Sequence, residues 1–336
     1  MPNLDIGTGP EGYEGFNFPV IDLSQCSTTD KASQGYCTAL QLMRSACLHH
    51  GFFLITGHGI STELQTRMFE MAEAFFSQTL EEKLVVDEKK AWGRSHRGYQ
   101  VIGGEAYEAG TLPDLKEGFQ YGNHKDLDHP DAVAKRVLCG PNQWPSGLPG
   151  FRETMEEYHV AIHALAIKIF KLLSESLGVD YEGVFKSFTH DAANAVRLLH
   201  YPPHAEDTDT NQLGTGAHRD FGGITLLLTN DIPGLQVYDD SVNEWVGITP
   251  RSDAYIVNLG DIFQRYTGGD YKSSLHRVIN KSSKDRYSIP YFFDGNLDAV
   301  LNPVTGIQDG VEALTVEEHM LERMTTSRAR GKKDIT

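Results

Sequence analysis

Residues 214–228, GTGAHRDFGGITLLL, set a histidine and an aspartate two positions apart, between a glycine-rich turn and an apolar run. The run at 224–228 is short, continuous and bounded by turn residues, the pattern of a buried strand. On an extended chain, side chains two residues apart point to one face. His218 and Asp220 are therefore expected at the mouth of that strand, where both reach one point in space. Such a point suits a metal ion.

Downstream of residue 195 the chain breaks into short β-type runs bounded by turn residues: AVRLLHY, GITLLLT, LQVYD, EWVGITP, AYIVNLG, HRVIN and RYSIPYFF. Their spacing predicts a sandwich or barrel. Upstream, FPVIDLS (18–24) reads as a strand and QGYCTALQLMRSACLHHG as a helix closed by Gly51. FFLITGHGI reads as a second strand and STELQTRMFEMAEAFFSQ as a second helix beginning at Ser61. Residues 88–125 are rich in glycine and lack a clear period, so a loop region is expected there, and long ordered loops in compact domains are often functional. Residues 150–179 form the strongest helical pattern, with Gly178 as its stop, and TVEEHMLERMTTSRARG predicts a closing helix. The basic tail RARGKK reads as a solvated end.

The 336 residues are 40% hydrophobic and 23% charged, enough to bury a sizeable core in one large domain or two small ones. A formal net charge of −16 would repel a polyanion, so nucleic acid is not expected as a partner. Cys26, Cys37, Cys47 and Cys139 fall at irregular spacings with no C-x-x-C pair, which predicts reduced thiols rather than a disulfide framework. The beginning, MPNLDIGTGPEGYEG, has neither a basic nor an apolar targeting segment, and no run has the length of a membrane span. A cytoplasmic protein without membrane attachment is expected; no residue names a protein partner.

A second histidine, His276, opens the run HRVIN. Two histidines and one carboxylate delivered from strands of one barrel make the facial triad of non-haem Fe(II) oxygenases, with open positions left on the metal. The spacing alone is weak, because 14 histidines and 46 acidic residues produce H-x-D by chance. Ten residues after His276, in DRYSIPYFF, Arg286 and Ser288 alternate onto one face of a strand. An arginine fork beside a hydroxyl suits bidentate capture of a carboxylate, and a charge inside an apolar strand needs a partner. His49, His50 and His58 in HHGFFLITGHGI suit a core strand and turn better than a second metal.

Taken together, HRDFGGITLLL, GLQVYD, YIVNLGDIFQRYTGGDYKSSLHRV and RYSIPYFF resemble the 2-oxoglutarate- and Fe(II)-dependent dioxygenases of the isopenicillin N synthase type. FPVIDLS, HHGFFLITGHGI and FFSQTLEEK are similar to that family's N-terminal half, so the likeness spans nearly the whole chain. The resemblance implies a mixed α and β fold with a distorted double-stranded β-helix (jelly roll) core flanked by helices. It implies an N-terminal helix and strand region over residues 1–125, and over 126–336 the long helix, the catalytic core and the closing helix, as one compact unit. It implies His218, Asp220 and His276 as Fe(II) ligands, and Arg286, Ser288 and Tyr201 as the residues binding 2-oxoglutarate, with O2 as the other cosubstrate. Many plant members carry Asn two residues before that tyrosine; Leu199 stands here and removes a polar contact.

The expected reaction converts 2-oxoglutarate to succinate and CO2 while a small organic molecule is hydroxylated, desaturated or cyclised, in secondary metabolism. Leu199, Phe221 and Phe292 lie close in sequence to ligand residues and are candidates for the pocket wall; Tyr99 and Phe119 are further candidates from the loop-rich region. Other readings are an Fe(II) oxidase of the same fold that uses no 2-oxoglutarate, a non-catalytic metal-bound binding protein, and a zinc hydrolase. The last needs a general base, and none is identifiable from sequence.

Overall fold

The computed structural model describes residues 18–26, 30–106, 108, 111–203, 212–304 and 313–332, the side chains of 327–332 excepted. The first fifteen residues, Tyr107 and the side chains of the basic tail lie outside the described residues.

In chain order the strands are β1 (Val20–Asp22), β2 (Phe52–Thr56), β3 (Gly98–Gln100), β4 (Glu117–Gly122), β5 (Ala193–Tyr201), β6 (Thr215–His218), β7 (Ile224–Thr229), β8 (Leu235–Asp239), β9 (Glu244–Gly247), β10 (Tyr255–Leu259), β11 (His276–Val278) and β12 (Arg286–Gly295). They form a large sheet in the order β1-β2-β10-β7-β12-β5-β4-β3 and a small one in the order β6-β11-β8-β9. All neighbours are antiparallel except β1 and β2. The two sheets face each other as a double-stranded β-helix. Leu199 and Tyr201 of β5, Phe52 and Leu54 of β2 and Ile256 of β10 pack between them against Leu235, Val237 and Val278 of the small sheet.

The other face of the large sheet is covered by helices. On it lie α1 (Gln34–His49), α2 (Thr62–Phe76) and the long α5 (Phe151–Leu177); the other helices are the short α3 (Leu80–Lys83), α4 (Pro130–Val133), α6 (Tyr181–Val184) and α7 (Lys186–Thr189), with α8 (Asp261–Tyr266) and α9 (Val316–Lys332). Helix α5 buries Phe151, Met155, Tyr158, Ile162, Leu165, Ile169 and Leu173, a stripe at helical spacing. Gly178 ends it in the left-handed region at φ 74°, which a side chain there would resist. Ser33 and Ser61 cap α1 and α2 by accepting the amides of Tyr36 and Leu64. Thr315 and Glu318 do so reciprocally at the start of α9.

Two sequence expectations change. FPVIDLS supplies a strand of only three residues, followed by a 3-10 turn at Leu23–Gln25. Residues 88–125 are not simply loop, since they contain β3 and β4, and every residue of β4 is buried. Gly118 and Gly122 in EGFQYG hide its period, and tertiary contacts supply its stability: Glu117 accepts from Lys83 (2.7 Å) and Tyr99 (2.6 Å) and pairs with His200 (2.8 Å). Strand β2 pairs with β10, and β4 with β5, so segments from both halves of the chain share one sheet. All four cysteines are free thiols. No described helix is long and apolar enough to cross a membrane.

Candidate active site

Strand alternation builds the site. On β12, Arg286, Ser288, Pro290, Phe292 and Asp294 take the face toward the small sheet, while Tyr287, Ile289, Tyr291 and Phe293 face the helices. Beside them β5 presents Ala195, Arg197, Leu199 and Tyr201, and β7 presents Thr225 and Leu227. These residues line a cavity of about 640 Å³, which also meets Met320 and Met324 of α9.

His218 ends β6 and His276 begins β11, and the two are directly opposite in the antiparallel ladder, with ring centroids 4.2 Å apart. Asp220 is not on β6, as the alternation expected. It lies in the turn between β6 and β7, and Asp261 and Gly260 bind that turn through backbone bonds to Asp220 (2.8 Å) and Gly223 (2.9 Å). The three side chains still converge, each offering one ligand atom within 4.8 Å of the others. Asp220 Oδ1 lies 3.7 Å from Nε2 of both histidines.

The groups around the triad decide what it can bind. His218 Nδ1 lies 2.8 Å from the carbonyl of Gly216, and His276 Nδ1 lies 3.1 Å from that of Ser274. A carbonyl only accepts, so both protons sit on Nδ1 and both Nε2 lone pairs face inward. Asp220 Oδ2 accepts from Thr225 Oγ1 (2.5 Å) and Asn258 Nδ2 (2.7 Å), which leaves Oδ1 for the centre. Burial and the neighbouring imidazole of His276 hold His218 well below its ordinary pKa. Burial resists the charge on Asp220, but the facing histidines and the bonds from Asn258 and Thr225 outweigh it and lower its pKa. Two neutral imidazoles and one carboxylate, each turned inward by a bond at its other polar atom, fit Fe(II) in ligand type and number.

Arg286 is 1% exposed, and its guanidinium lies 4.8 Å over the ring of Tyr201. Arg286 pairs with Tyr201, and Ser288 with Leu199, across β12 and β5. Arg286, Ser288 and Tyr201 thus line the same cavity as the triad, as do Leu199, Phe221 and Phe292. Phe119 does not. It is fully buried on the opposite face of β4, against Phe75 (centroids 4.9 Å) and Phe151 (5.3 Å). Tyr99, its partner on β3, borders the cavity but turns its ring to Phe75 and its hydroxyl to Glu117. Their strand neighbours Gln100 and Gln120 take the cavity face instead. Sequence reading also missed Thr225, Asn258 and Asp294. Continuing the alternation from Arg286 and Ser288 reaches Asp294; nothing local marks the other two.

Two family models match the chain: "non-haem dioxygenase in morphine synthesis N-terminal" over residues 18–147 and "2OG-Fe(II) oxygenase superfamily" over residues 192–295. Among similar proteins, the 2-oxoglutarate-dependent dioxygenase citB of Monascus ruber is 44% identical over 323 residues, covering 93% of this chain and 96% of that one. Clavatol oxidase claD of Penicillium crustosum is 38% identical over 332 residues, covering 94% and 97%. The crystal structure of a full-length Neurospora crassa protein in complex with alpha-KG superposes with a TM-score of 0.81 at 26% identity, covering 94% of this chain and 97% of that one. With the Fe(II) ligand set assembled on a double-stranded β-helix and these relatives matched along nearly their full length, the chain belongs to the 2OG-Fe(II) oxygenase superfamily and is a 2-oxoglutarate- and Fe(II)-dependent dioxygenase.

Proposed function

We propose that Arg286, Ser288 and Tyr201 bind the distal carboxylate of 2-oxoglutarate, and that the remaining cavity takes a small organic molecule of secondary metabolism for hydroxylation, desaturation or ring closure. The observation that carries this is the placing of Arg286: a fully buried cation on the cavity face, on the strand next to the one whose Thr225 steadies Asp220. Bound Fe(II), with 2-oxoglutarate and O2, supplies the oxidising chemistry, and 2-oxoglutarate leaves as succinate and CO2. The chain's own residues do the rest. The guanidinium fork of Arg286 grips a carboxylate through two parallel bonds, Ser288 adds a hydroxyl donor, and the Tyr201 ring beneath the guanidinium holds its plane. Leu199, Phe292 and Phe221 offer apolar walls that exclude water from the reacting centre. Residues 1–125 and 126–336 are read as parts of one working unit, on the strength of the β2–β10 and β4–β5 pairings. The test is product analysis with Fe(II), 2-oxoglutarate and a panel of small aromatic and polyketide-like compounds under O2. Succinate equimolar with an oxidised product supports the reading; product without succinate refutes it.

A further inference from the structure

Polar side chains lining the cavity are mostly engaged. Arg197 donates to Gln100 and Glu105, Lys116 bonds to Asp114, and Asn258 and Thr225 hold Asp220. Asp294 is different. It is 4% exposed, lines the cavity, and receives no hydrogen bond from any described residue. A buried carboxyl that no described residue bonds is costly to the fold, and it suits a partner that enters the cavity. Gln120 on β4 also lines the cavity with no side-chain bond among the described residues, but Asp294 is the one set against the turn that carries Asp220. A Cβ at Gly222 would lie 2.3 Å from Asp294 Oδ1, so glycine there keeps the carboxyl's space clear, two residues from a metal ligand.

We propose that Asp294 positions the prime substrate by hydrogen bonding to a hydroxyl of a neutral aromatic molecule seated against Phe292. This deepens the function proposed above and rests on it. Leu138, Ala195, Leu199, Pro290 and Phe292 line the same cavity and favour an apolar body. A hydroxyl donates a hydrogen bond to a carboxylate oxygen without bringing a second charge into the cavity. An ammonium group fits less well. Arg97, fully buried, already places a positive charge within electrostatic reach of Asp294, and a second buried cation would cost more than a hydroxyl.

The experiment measures anaerobic binding to the Fe(II) protein by calorimetry, first of 2-oxoglutarate and then of 2,4-dihydroxybenzaldehyde, its dimethyl ether and benzylamine. The dihydroxy compound should bind wild type at least about tenfold tighter than its ether. Asp294→Leu should abolish that preference. Thermal unfolding of the ligand-free Asp294→Asn protein gives an independent reading. Removing a buried charge that lacks a bond should raise Tm by about 2 °C, whereas a structural carboxyl would lower it. Binding of 2-oxoglutarate together with no binding of the dihydroxy compound, equal binding of compound and ether, or preference for benzylamine overturns this proposal while leaving the cosubstrate reading intact. So does a lowered Tm in Asp294→Asn.

Discussion

Replacing Arg286 by alanine is expected to weaken 2-oxoglutarate binding far more than it disturbs any other function of the protein. The guanidinium is 1% exposed and lies 4.8 Å over the Tyr201 ring, so its carboxylate partner would be bound where water competes poorly. Losing a bidentate, charge-assisted partner in such a place costs about 2 to 5 kcal/mol. At about 1.4 kcal/mol per factor of ten, Kd should rise roughly 30-fold to several-thousand-fold. Arg286→Lys should recover only part, because an ammonium is a point charge and cannot reproduce the planar fork or its stacking on Tyr201. Ser288→Ala removes one neutral donor and should cost about 0.5 to 1.5 kcal/mol, at most about tenfold. Anaerobic titration of 2-oxoglutarate into the Fe(II) protein reads this without any prime substrate. Loss of Fe(II) binding would signal general damage, so metal is titrated in parallel. An Arg286→Ala protein that binds 2-oxoglutarate like wild type would refute the reasoning and move the clamp to other residues.

His218→Ala, Asp220→Ala and His276→Ala should each lose Fe(II) binding, and Asn258→Ala or Thr225→Val should weaken it by about 10- to 100-fold, since both hold the outer oxygen of Asp220; Fe(II) titration of each variant reads the order. Phe119→Ala should destabilise the fold by about 3 to 5 kcal/mol with unchanged 2-oxoglutarate affinity, whereas changes of volume at Leu199 or Phe221 should shift product ratios while Fe(II) affinity holds. Denaturant midpoints and product analysis separate the two classes. His200 supplies a pH signature. Burial opposes its charge, but bonds with Glu117 (2.8 Å) and Asp285 (2.7 Å) win and raise its pKa. Its contribution to stability is therefore complete below the unfolded value of about 6.5 and fades as pH rises through the higher folded value. Urea midpoints from about pH 5 to about 9 should show that His200→Gln loses stability at the acid end and falls less steeply toward the alkaline end.

The residues that bear the chemistry were legible because short-range pattern places them. H-x-D before an apolar run, a histidine opening a later strand, and Arg286 and Ser288 alternating on β12 each follow from local periodicity, and the helical stripe of α5 is just as local. Where the backbone departs from that period, local reading falters: Asp220 reaches the centre from a turn held by Gly260 and Asp261, not from the strand that carries His218. Strand β4 was hidden because its glycines blur alternation and its stability comes from Lys83, Tyr99 and His200, all distant in sequence. The facing of Phe119 was decided by register. Pairing with Leu198 turns it to the helices, and a slip of one residue would have exchanged it with Gln120. The same holds for Asn258, Thr225 and Asp294. A hydrogen bond to Asp220, or its absence at Asp294, depends on which strands lie side by side, and strand order is set by packing of the whole sheet rather than by any residue's neighbours in sequence.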